Sequence, residues 1–216
     1  MTVRTYQLLV FDWDGTLMDS TARIISSFQS AILESGAPPR EDAAIQHIIG
    51  LGLNEAVAAL YPEQAASLQM RVVEGYRHHY LHINTTPTPL FDGVADTVAA
   101  LHAQGYRLGV ATGKSRRGLD RALAESGLGD YFQVTRTADE TRSKPDPLML
   151  QEIVAHFGSP PEQTLMIGDS AYDLGMAQNA GVAGMAVSYG VHSCEQLQIY
   201  QPVACLRSLP ELFNYL

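Results

Sequence analysis

The sequence predicts an α/β protein in which a parallel β-sheet lies between helices, with a separate all-helical unit inserted near its N-terminus. Short apolar segments alternate with helical segments of roughly ten residues from residue 92 onward, a pattern typical of βαβ units and a parallel sheet. Residues 19–86, by contrast, show helical patterns and no strand pattern. A chain of 216 residues is long enough for one α/β core and a smaller insert.

The first predicted strand is the apolar run 8–11, which ends at Asp12-Trp13-Asp14. A desolvated carboxylate is costly unless it is paired or bound to a metal, so packing alone does not explain acids at this place. Residues i and i+2 of an extended chain point the same way, which predicts that Asp12 and Asp14 share one face. They would repel each other unless a cation lies between them or one holds a proton. The alternative is an ordinary turn rich in Asp that leads into a helix.

The inserted unit is predicted to contain helices only. The first helix runs from Asp19-Ser20 to Gly36. Two short helices follow within 40–61, separated by Gly50-Leu51-Gly52-Leu53, and Asn54 is the predicted N-cap of the second. A long helix over 62–83, opened by Pro62, completes the unit. The breaker cluster 85–89 follows as a candidate hinge. We therefore predict a core domain formed by residues 1–18 and 87–216, and a helical domain formed by residues 19–86, called the cap below.

The rest of the chain supplies the other strands and helices of the core. The predicted elements are a helix over 93–104, a strand over 106–112, a helix ending at Gly127, a strand over 132–135, a helix from Pro147, a strand over 164–168, a helix over 171–180, a strand over 182–187, a short strand over 203–206 and a terminal helix. With the first strand they predict a three-layer, Rossmann-like parallel sheet core. Ligands of such sheets bind outside the carboxyl ends of the strands, which selects the residues to consider.

Those strand ends carry polar residues of a particular kind. They are Asp12 and Asp14, then Thr112-Gly113-Lys114, then Gly168-Asp169 with Asp173 beyond, while Ser143-Lys144-Pro145 lies in a loop. Carboxylate oxygens suit Mg²⁺, and a hydroxyl, backbone N–H groups and an ammonium donate to phosphoryl oxygens. One Asp can act as a nucleophile, and its neighbour can protonate the leaving oxygen and later deprotonate water. The set predicts phosphoryl chemistry assisted by a hard cation.

In their order and spacing these motifs resemble those of the haloacid dehalogenase (HAD) superfamily. The matching residues are Asp12-x-Asp14-Gly15-Thr16, Thr112, Ser143-Lys144-Pro145 and Gly168-Asp169-x-x-x-Asp173. The chain is most similar to the phosphoglycolate phosphatase-like branch, which has a helical cap after the first motif, and the likeness covers essentially the whole chain. Two positions depart from the family pattern: Trp13 replaces an aliphatic residue, and Gly113 stands where many relatives have Asn.

The resemblance implies a role for each matching residue. Asp12 would be the nucleophile and Asp14 the general acid/base. The phosphoryl group would be bound by Thr112, the Gly113 amide and Lys144. Mg²⁺ would be held by Asp12, the Asp14 backbone carbonyl and Asp169, with Asp173 in or next to that shell. Substrate specificity in this family lies in the cap, where the turn Gly50, Leu51, Gly52 and Leu53 is the expected tip over the site, because two glycines allow a close backbone approach.

The expected function is that of a Mg²⁺-dependent phosphatase. It would hydrolyse the phosphomonoester of a small metabolite, phosphoglycolate-like or a sugar phosphate, through an aspartyl-phosphate. A phosphomutase of the same family stays open as an alternative. A dehalogenase is disfavoured because the family's dehalogenases lack the second acid, here Asp14. A phospho-accepting signalling domain needs only about 120 residues and has no helical insert after its first motif.

Three other patterns carry weaker implications. Gly113-Lys114-Ser115 is similar to the end of a nucleotide-binding P-loop, but the pattern needs Gly at the position of Leu108. Gly50-x-Gly52 lacks the preceding strand of a dinucleotide-binding fingerprint. His78, His79 and His82 could bind a second metal, although no third ligand is evident beside the i, i+4 pair, which favours a solvated helix face.

Composition limits the partners and the location. A formal net charge of −9 argues against a nucleic-acid partner, whose phosphates require a basic face. No run approaches the 18 apolar residues of a membrane span. Cys194 and Cys205 form no CxxC motif and have no histidine cluster nearby, which predicts reduced cysteines and a cytoplasmic protein. The expected partner is a small phosphorylated metabolite, and the expected assembly is a monomer or a homodimer.

Overall fold

A six-stranded, all-parallel sheet forms the centre of the protein in the computed structural model, which describes residues 5–216. The strands are β1 (Leu8–Phe11), β2 (Arg107–Thr112), β3 (Val134–Thr137), β4 (Thr164–Gly168), β5 (Ala183–Val187) and β6 (Cys205–Leu206). Their order is β3-β2-β1-β4-β5-β6, so the order reverses between β1 and β4. The predicted α/β class is confirmed; residues 1–4 of the predicted core domain lie outside the described residues.

Helices cover both faces of the sheet. They are α5 (Val94–Ala103), α6 (Arg116–Ser126), α7 (Leu148–Phe157), α8 (Ala171–Ala180) and the short α9 (Cys194–Leu197). Leu9 and Phe11 of β1 belong to the hydrophobic cluster that contains α5 and α6 side chains, whereas Leu8 and Val10 belong to the cluster with α7 and α8 side chains. Because alternate side chains of β1 serve opposite faces, the strand is buried on both sides and the core has three layers.

Four α-helices lie between β1 and α5, and the described residues between 21 and 83 contain no strand. They are α1 (Thr21–Ser35), α2 (Asp42–His47), α3 (Leu53–Leu60) and α4 (Ala66–His78), and α4 continues into one π-helical turn over His79–Ile83. These helices have a hydrophobic cluster of their own, with Phe28, Tyr61 and Val72 among its buried members. The helical prediction for this segment is confirmed, and its separate core is what an inserted cap requires.

Two boundaries in the helical segment differ from the prediction. The last long helix starts at Ala66 rather than at Pro62, because residues 62–65 form a turn that the Gln69 side-chain amide holds by donating to the Tyr61 carbonyl at 2.8 Å. The helix expected to be capped by Asn54 starts two residues earlier, at Leu53, with Gly52 as N-cap. The Gly52 N–H is already fixed by the Ser143 hydroxyl at 2.8 Å, a contact between distant parts of the chain.

The chain enters and leaves the helical segment along one paired crossing. The Asp19 N–H donates to the Pro89 carbonyl at 2.8 Å, and the Phe91 N–H donates to the Leu17 carbonyl at 3.1 Å. Between them, Met18 and Leu90 form an antiparallel bridge. Two antiparallel connecting segments that are paired in this way suit a hinge. The division into a core of residues 1–18 and 87–216 and a cap of residues 19–86 stays a proposal.

The C-terminal part of the chain departs from the prediction in three ways. Strand β3 lies two residues later than expected, and the terminal helix is a run of 3₁₀ turns over Leu209–Asn214. The expectation of reduced cysteines is wrong: α9 begins at Cys194 beside β6, and Cys194 and Cys205 are joined in a disulfide with their Cα atoms 6.0 Å apart. Within residues 5–216, no helix combines the length and apolar character needed to cross a bilayer.

Candidate active site

The two central strands, β1 and β4, bring the predicted acids together at their carboxyl ends. Asp12 follows β1 directly, and its N–H extends the ladder by donating to the Ile167 carbonyl of β4 at 2.9 Å. Asp169 follows β4, and Asp173 lies in the first turn of α8. The side-chain oxygens of Asp12, Asp169 and Asp173 lie within 4.8 Å of one another, and all three residues are buried. This is the edge of the sheet where the strand order reverses, as expected for a ligand site.

Lys144 is the cation at the centre of this acid cluster. Its ammonium lies 2.5 Å from Asp12 Oδ1 and 2.6 Å from Asp173 Oδ1, and its side chain is fully buried. Burial alone would lower the pKa of Lys144, but the carboxylates of Asp12 and Asp173 outweigh burial and raise it above its ordinary value. Lys144 is therefore a fixed positive charge, which the loop after β3 delivers to the end of β1.

One ammonium does not neutralise three buried acids. Burial raises the pKa of Asp12 well above its ordinary value, against the lowering effect of Lys144, and the neighbouring acids Asp173 and Asp169 raise it further. Burial, followed by the charge of Asp173, raises the pKa of Asp169 to about 7. Such shifts describe a cluster with excess negative charge. A hard divalent cation on these oxygens would remove the excess, so the donor set fits Mg²⁺.

Asp169 and Asp173 are oriented by hydrogen bonds from the surrounding chain. Asp169 Oδ1 accepts from the Thr16 hydroxyl at 3.0 Å, and its Oδ2 accepts from the Val191 N–H at 2.7 Å. Asp173 Oδ2 accepts from the Ser170 N–H at 3.0 Å and from the Ser170 hydroxyl at 2.6 Å, in a capping box at the start of α8. Both oxygens of Asp173 thus have protein partners, Lys144 on Oδ1 and Ser170 on Oδ2, and one of them is a cation, whereas the partners of Asp169 are neutral.

Asp14 lies on the other side of the site and has its own cation. Its Oδ1 is 2.8 Å from the Lys114 ammonium and also accepts from the Ser20 hydroxyl. The Lys114 side chain is only 7% exposed and donates to the Tyr80 hydroxyl of the π-helical turn at 3.0 Å. Burial would lower the pKa of Lys114, but Asp14 reverses this and raises it. Sequence reasoning missed this role of Lys114; its place after Thr112-Gly113 at a strand end was the available signal.

Thr112 and Gly113 end β2 directly below the cap turn. Thr112 is buried, and its hydroxyl oxygen accepts from the Lys114 N–H at 3.2 Å. A Cβ at Gly113 would lie 2.4 Å from the Leu51 carbonyl oxygen and 2.6 Å from that of Gly50. The backbone of the cap turn therefore occupies the space of any side chain here, which explains why this chain has Gly where an Asn is common.

A cavity of about 150 Å³ separates the strand ends from the helical segment. Asp12, Asp14, Thr112, Gly113 and Lys114 line it from the core, and all four residues of the turn, Gly50, Leu51, Gly52 and Leu53, line it from the cap. Asp12 and Asp14 thus open on one space, as the D-x-D spacing predicts.

The histidines that the sequence singled out lie elsewhere. His79 pairs with Glu34 at 2.9 Å, and His78 and His82 border a shallow depression beside the cavity. Among residues 5–216, the acid cluster of Asp12 is the only group of three or more candidate metal ligands, so the structure gives a second metal site no support.

A second histidine pair, which sequence reasoning did not consider, joins the helical segment to the core. His47 Nδ1 of α2 lies 3.1 Å from His192 Nε2, and His192 Nδ1 accepts from the Ala171 N–H at 3.0 Å. The two histidines are 145 residues apart, and no sequence pattern predicts that they meet.

Comparison with known proteins agrees with this geometry. Residues 9–187 match the family described as haloacid dehalogenase-like hydrolase. The chain is 34% identical over 213 residues to "Probable phosphatase IndB" of Dickeya dadantii, covering 95% of this chain and 91% of that protein. It is 29% identical over 216 residues to "Phosphoglycolate phosphatase" of Nitrosococcus oceani, covering 97% and 96%. The structure of a haloacid dehalogenase-like protein of Bacteroides fragilis superposes with a TM-score of 0.89 at 29% identity, covering 96% of this chain and 99% of that chain. The expected family is confirmed: this chain is an enzyme that belongs to the haloacid dehalogenase-like hydrolases.

Proposed function

We propose that this protein is a Mg²⁺-dependent phosphatase that hydrolyses the phosphomonoester of a small metabolite through an aspartyl-phosphate. Phosphoglycolate-like compounds and sugar phosphates are the candidates that the sequence resemblance supplies. The observation that carries the proposal is the buried carboxylate of Asp12, held by Lys144 at the edge of a cavity and clustered with two further acids. Relatives named as phosphatases support the same reaction class.

Asp12 is proposed as the nucleophile because its two oxygens have different surroundings. Oδ1 is held by the Lys144 ammonium at 2.5 Å, while Oδ2 has no hydrogen-bond partner among the described residues. Oδ2 would attack phosphorus as the bond to the leaving oxygen breaks. Splitting the hydrolysis into phosphorylation of Asp12 and its later release replaces one difficult step by two easier ones.

Asp14 is proposed as the general acid/base. Its Oδ1 is held by Lys114 and Ser20, and its Oδ2 has no partner among the described residues, although the residue lines the same cavity as Asp12. In the first step Asp14 would give its proton to the leaving oxygen. In the second step it would take a proton from the water that attacks phosphorus, which releases phosphate and restores the Asp12 carboxylate.

The transferring phosphoryl group would be bound by Thr112, the Gly113 N–H and Lys144. The Gly113 N–H has no partner within residues 5–216, and both Thr112, the last residue of β2, and Gly113 line the cavity. Asp12, the Asp14 carbonyl and Asp169 would hold Mg²⁺, with Asp173 next to them. Bound Mg²⁺ would neutralise the excess negative charge of the acid cluster and of the phosphoryl oxygens. The turn 50–53 is proposed to contact the rest of the substrate.

The first test is the replacement Asp12→Asn, with Asp19→Asn as the matched control. Asp19 is an exposed aspartate of the same segment. We expect Asp12→Asn to fold and to lose phosphate release, because an amide is a poor nucleophile, while Asp19→Asn keeps it. EDTA should silence the unmodified enzyme and Mg²⁺ should restore it. Clear turnover by pure, folded Asp12→Asn would contradict the nucleophile assignment, and activity that is indifferent to EDTA would contradict the metal.

The remaining expectations on partners and location stay proposals. We propose a monomer or a homodimer without nucleic-acid or membrane partners, in keeping with the net charge of −9. A cytoplasmic location is also retained, although the Cys194–Cys205 disulfide removes the cysteine argument for it.

A further inference from the structure

Resting on the proposed phosphatase function, we propose that the preferred substrate carries a compact apolar group, such as an aromatic ring, on the carbon next to its ester oxygen. The inference keeps the phosphatase reaction but places an apolar phosphomonoester ahead of the phosphoglycolate-like compounds and sugar phosphates that the resemblance suggests. It depends on the difference between the two sides of the cavity that covers Asp12.

The core side of the cavity is polar, and the interior of the cap side is apolar. Asp12, Asp14, Thr112 and Lys114 line the cavity from the core. Besides the turn 50–53, the opposite side includes apolar and aromatic side chains from α1, from the turn after α2 and from α4, namely Ile24, Phe28, Ile48, Ile49 and Tyr76. The first four of these are only 2–5% exposed, so they are fixed in the hydrophobic cluster of the cap. The group that leaves with the ester oxygen must meet this apolar side.

The apolar side includes a row of aromatic rings. The Phe28 and Tyr76 ring centroids lie 4.2 Å apart, and the Tyr76 and Tyr80 rings are stacked at 5.5 Å with 24° between their planes. The row ends at the core, where the Tyr80 hydroxyl binds the Lys114 ammonium. Rings of this kind favour contact with another flat apolar group, because stacked and edge-to-face pairs contribute beyond the area that they bury.

The cap offers few groups that could recognise hydroxyls or a carboxylate inside the cavity. Its charged and amide side chains on the cavity, Asn54, Glu55 and Arg77, are exposed and lie at the mouth. Among the described cap residues that line the interior, Tyr76 has a hydroxyl without a hydrogen-bond partner. A polyol bound here would lose water without gaining partners, and each unpaired polar group lowers affinity by about 10-fold.

The size of the cavity suits one compact group. Its volume of about 150 Å³ has to hold the phosphoryl group as well, which leaves room for one compact group attached to it. Since the phosphoryl group occupies the core side, a larger substrate would extend through the mouth between Arg77 and Asp139, which also border the neighbouring depression.

The test compares phosphomonoesters that differ in polarity at similar size. Benzyl phosphate and isobutyl phosphate represent the apolar class, and glycerol 3-phosphate and phosphoglycolate represent the polar class. We expect kcat/KM to be at least about 10-fold higher for the apolar esters. Equal or higher values for the polar esters would overturn the inference while leaving the phosphatase proposal intact. Binding of the same four compounds to Asp12→Asn, measured by calorimetry, gives the preference without turnover, so a failure of the proposed function stays distinguishable.

Two variants then locate the preference in the cap. Ile49→Thr adds a hydroxyl to the apolar side, and Val57→Thr makes a similar change in the same hydrophobic cluster, at a buried residue outside the cavity. Ile49→Thr should reduce the ratio of kcat/KM for isobutyl phosphate to kcat/KM for glycerol 3-phosphate by at least threefold. Val57→Thr should leave this ratio unchanged while lowering thermal stability. Equal ratios in both folded variants would contradict a role for this face.

Discussion

Replacing Gly113 by alanine adds a methyl group in a place that the cap turn already fills. The Cβ of the new residue would lie 2.4 Å from the Leu51 carbonyl oxygen and 2.6 Å from the Gly50 carbonyl oxygen. Both contacts are with backbone, so no flexible side chain can swing away. The backbone dihedrals of Gly113 need no left-handed conformation, and the substitution is therefore a test of space alone.

The structure gives the size of the displacement. Ordinary Cβ contacts lie at 3.4–4 Å, and distances below 3.0 Å are essentially never observed. The turn 50–53 must therefore move away from β2 by roughly 0.6–1 Å. Crowding of this kind costs about 1–3 kcal/mol of stability. A misplacement of about 1 Å near reacting groups can lower the rate by about 10²-fold.

The assay compares alkyl phosphates, whose poor leaving group needs exact positioning, with an aryl phosphate, whose good leaving group needs it less. We expect Gly113→Ala to lower kcat/KM for alkyl phosphates by about 10–100-fold. A small aryl phosphate with a good leaving group should lose much less. Gly109→Ala is the matched control, since Gly109 lies in the same strand and its Cβ would meet Ile153 and Val134 of the core at 3.1 and 3.3 Å. Gly109→Ala should lower thermal stability without changing the ratio of kcat/KM between alkyl and aryl phosphates.

Two results would refute the reasoning. If Gly113→Ala keeps full kcat/KM on alkyl phosphates at unchanged thermal stability, the turn is not held against β2 as described. If Gly113→Ala and Gly109→Ala reduce activity on both substrate types in parallel, the effect is a general loss of stability and the cap turn has no part in it.

Three further predictions concern the charged groups of the site. Asp14→Asn should slow the hydrolysis of alkyl phosphates by about 10²–10⁴-fold and that of aryl phosphates much less, and an equal loss on both would point to positional damage. Lys114→Met removes the cation that pairs with Asp14, whose side chain is only 11% exposed. Thermal denaturation should therefore show that the free energy of unfolding falls by about 3–5 kcal/mol. Tyr80→Phe keeps the Lys114 ammonium beside Asp14, so its free energy of unfolding should fall far less. Equal losses in the two variants would mean that the Lys114–Asp14 ion pair has no special role. Mg²⁺ should raise the melting temperature of EDTA-treated protein by mass action, and a rise of the same size in Asp169→Asn would exclude Asp169 as a ligand.

The elements of the fold could be predicted because their signals are local. The apolar run 8–11 and the alternation of strands and helices depend on neighbours in sequence, and both were confirmed. The boundaries that failed depend on distant partners. The start of α3 is fixed by the Ser143 hydroxyl on the Gly52 N–H, across 91 residues, and no pattern around Asn54 reports it. The pairing of Cys194 with Cys205 depends on how α9 docks beside β6, which spacing alone does not reveal.

The candidate site was predictable to the extent that chemistry forces particular residue types. Acids at the ends of apolar strands are costly, so Asp12 and Asp169 stand out, and the structure brings them together with Asp173. Their roles remain proposals. The ion pair of Lys114 with Asp14 was missed, because a lysine beside a strand end has an equally plausible solvated interpretation until tertiary contacts exclude water. The Val191 N–H that orients Asp169 is a backbone group and leaves no trace in the residue types.

The strand order also determines how long β1 stays without partner strands during translation. Leu8 of the central strand pairs with Arg107 on one side and Thr164 on the other, 99 and 156 residues later in the chain. At translation rates of about 5–20 residues per second, β1 waits roughly 5–20 seconds for its first partner. The helices of residues 21–83 have their own hydrophobic cluster and can pack on the ribosome during that interval, since the buried residues of that cluster all lie between Ile24 and Val73. The apolar strand Leu8–Phe11 thus has no strand partner until β2 is made, and it is buried between two neighbours only after β4 is made.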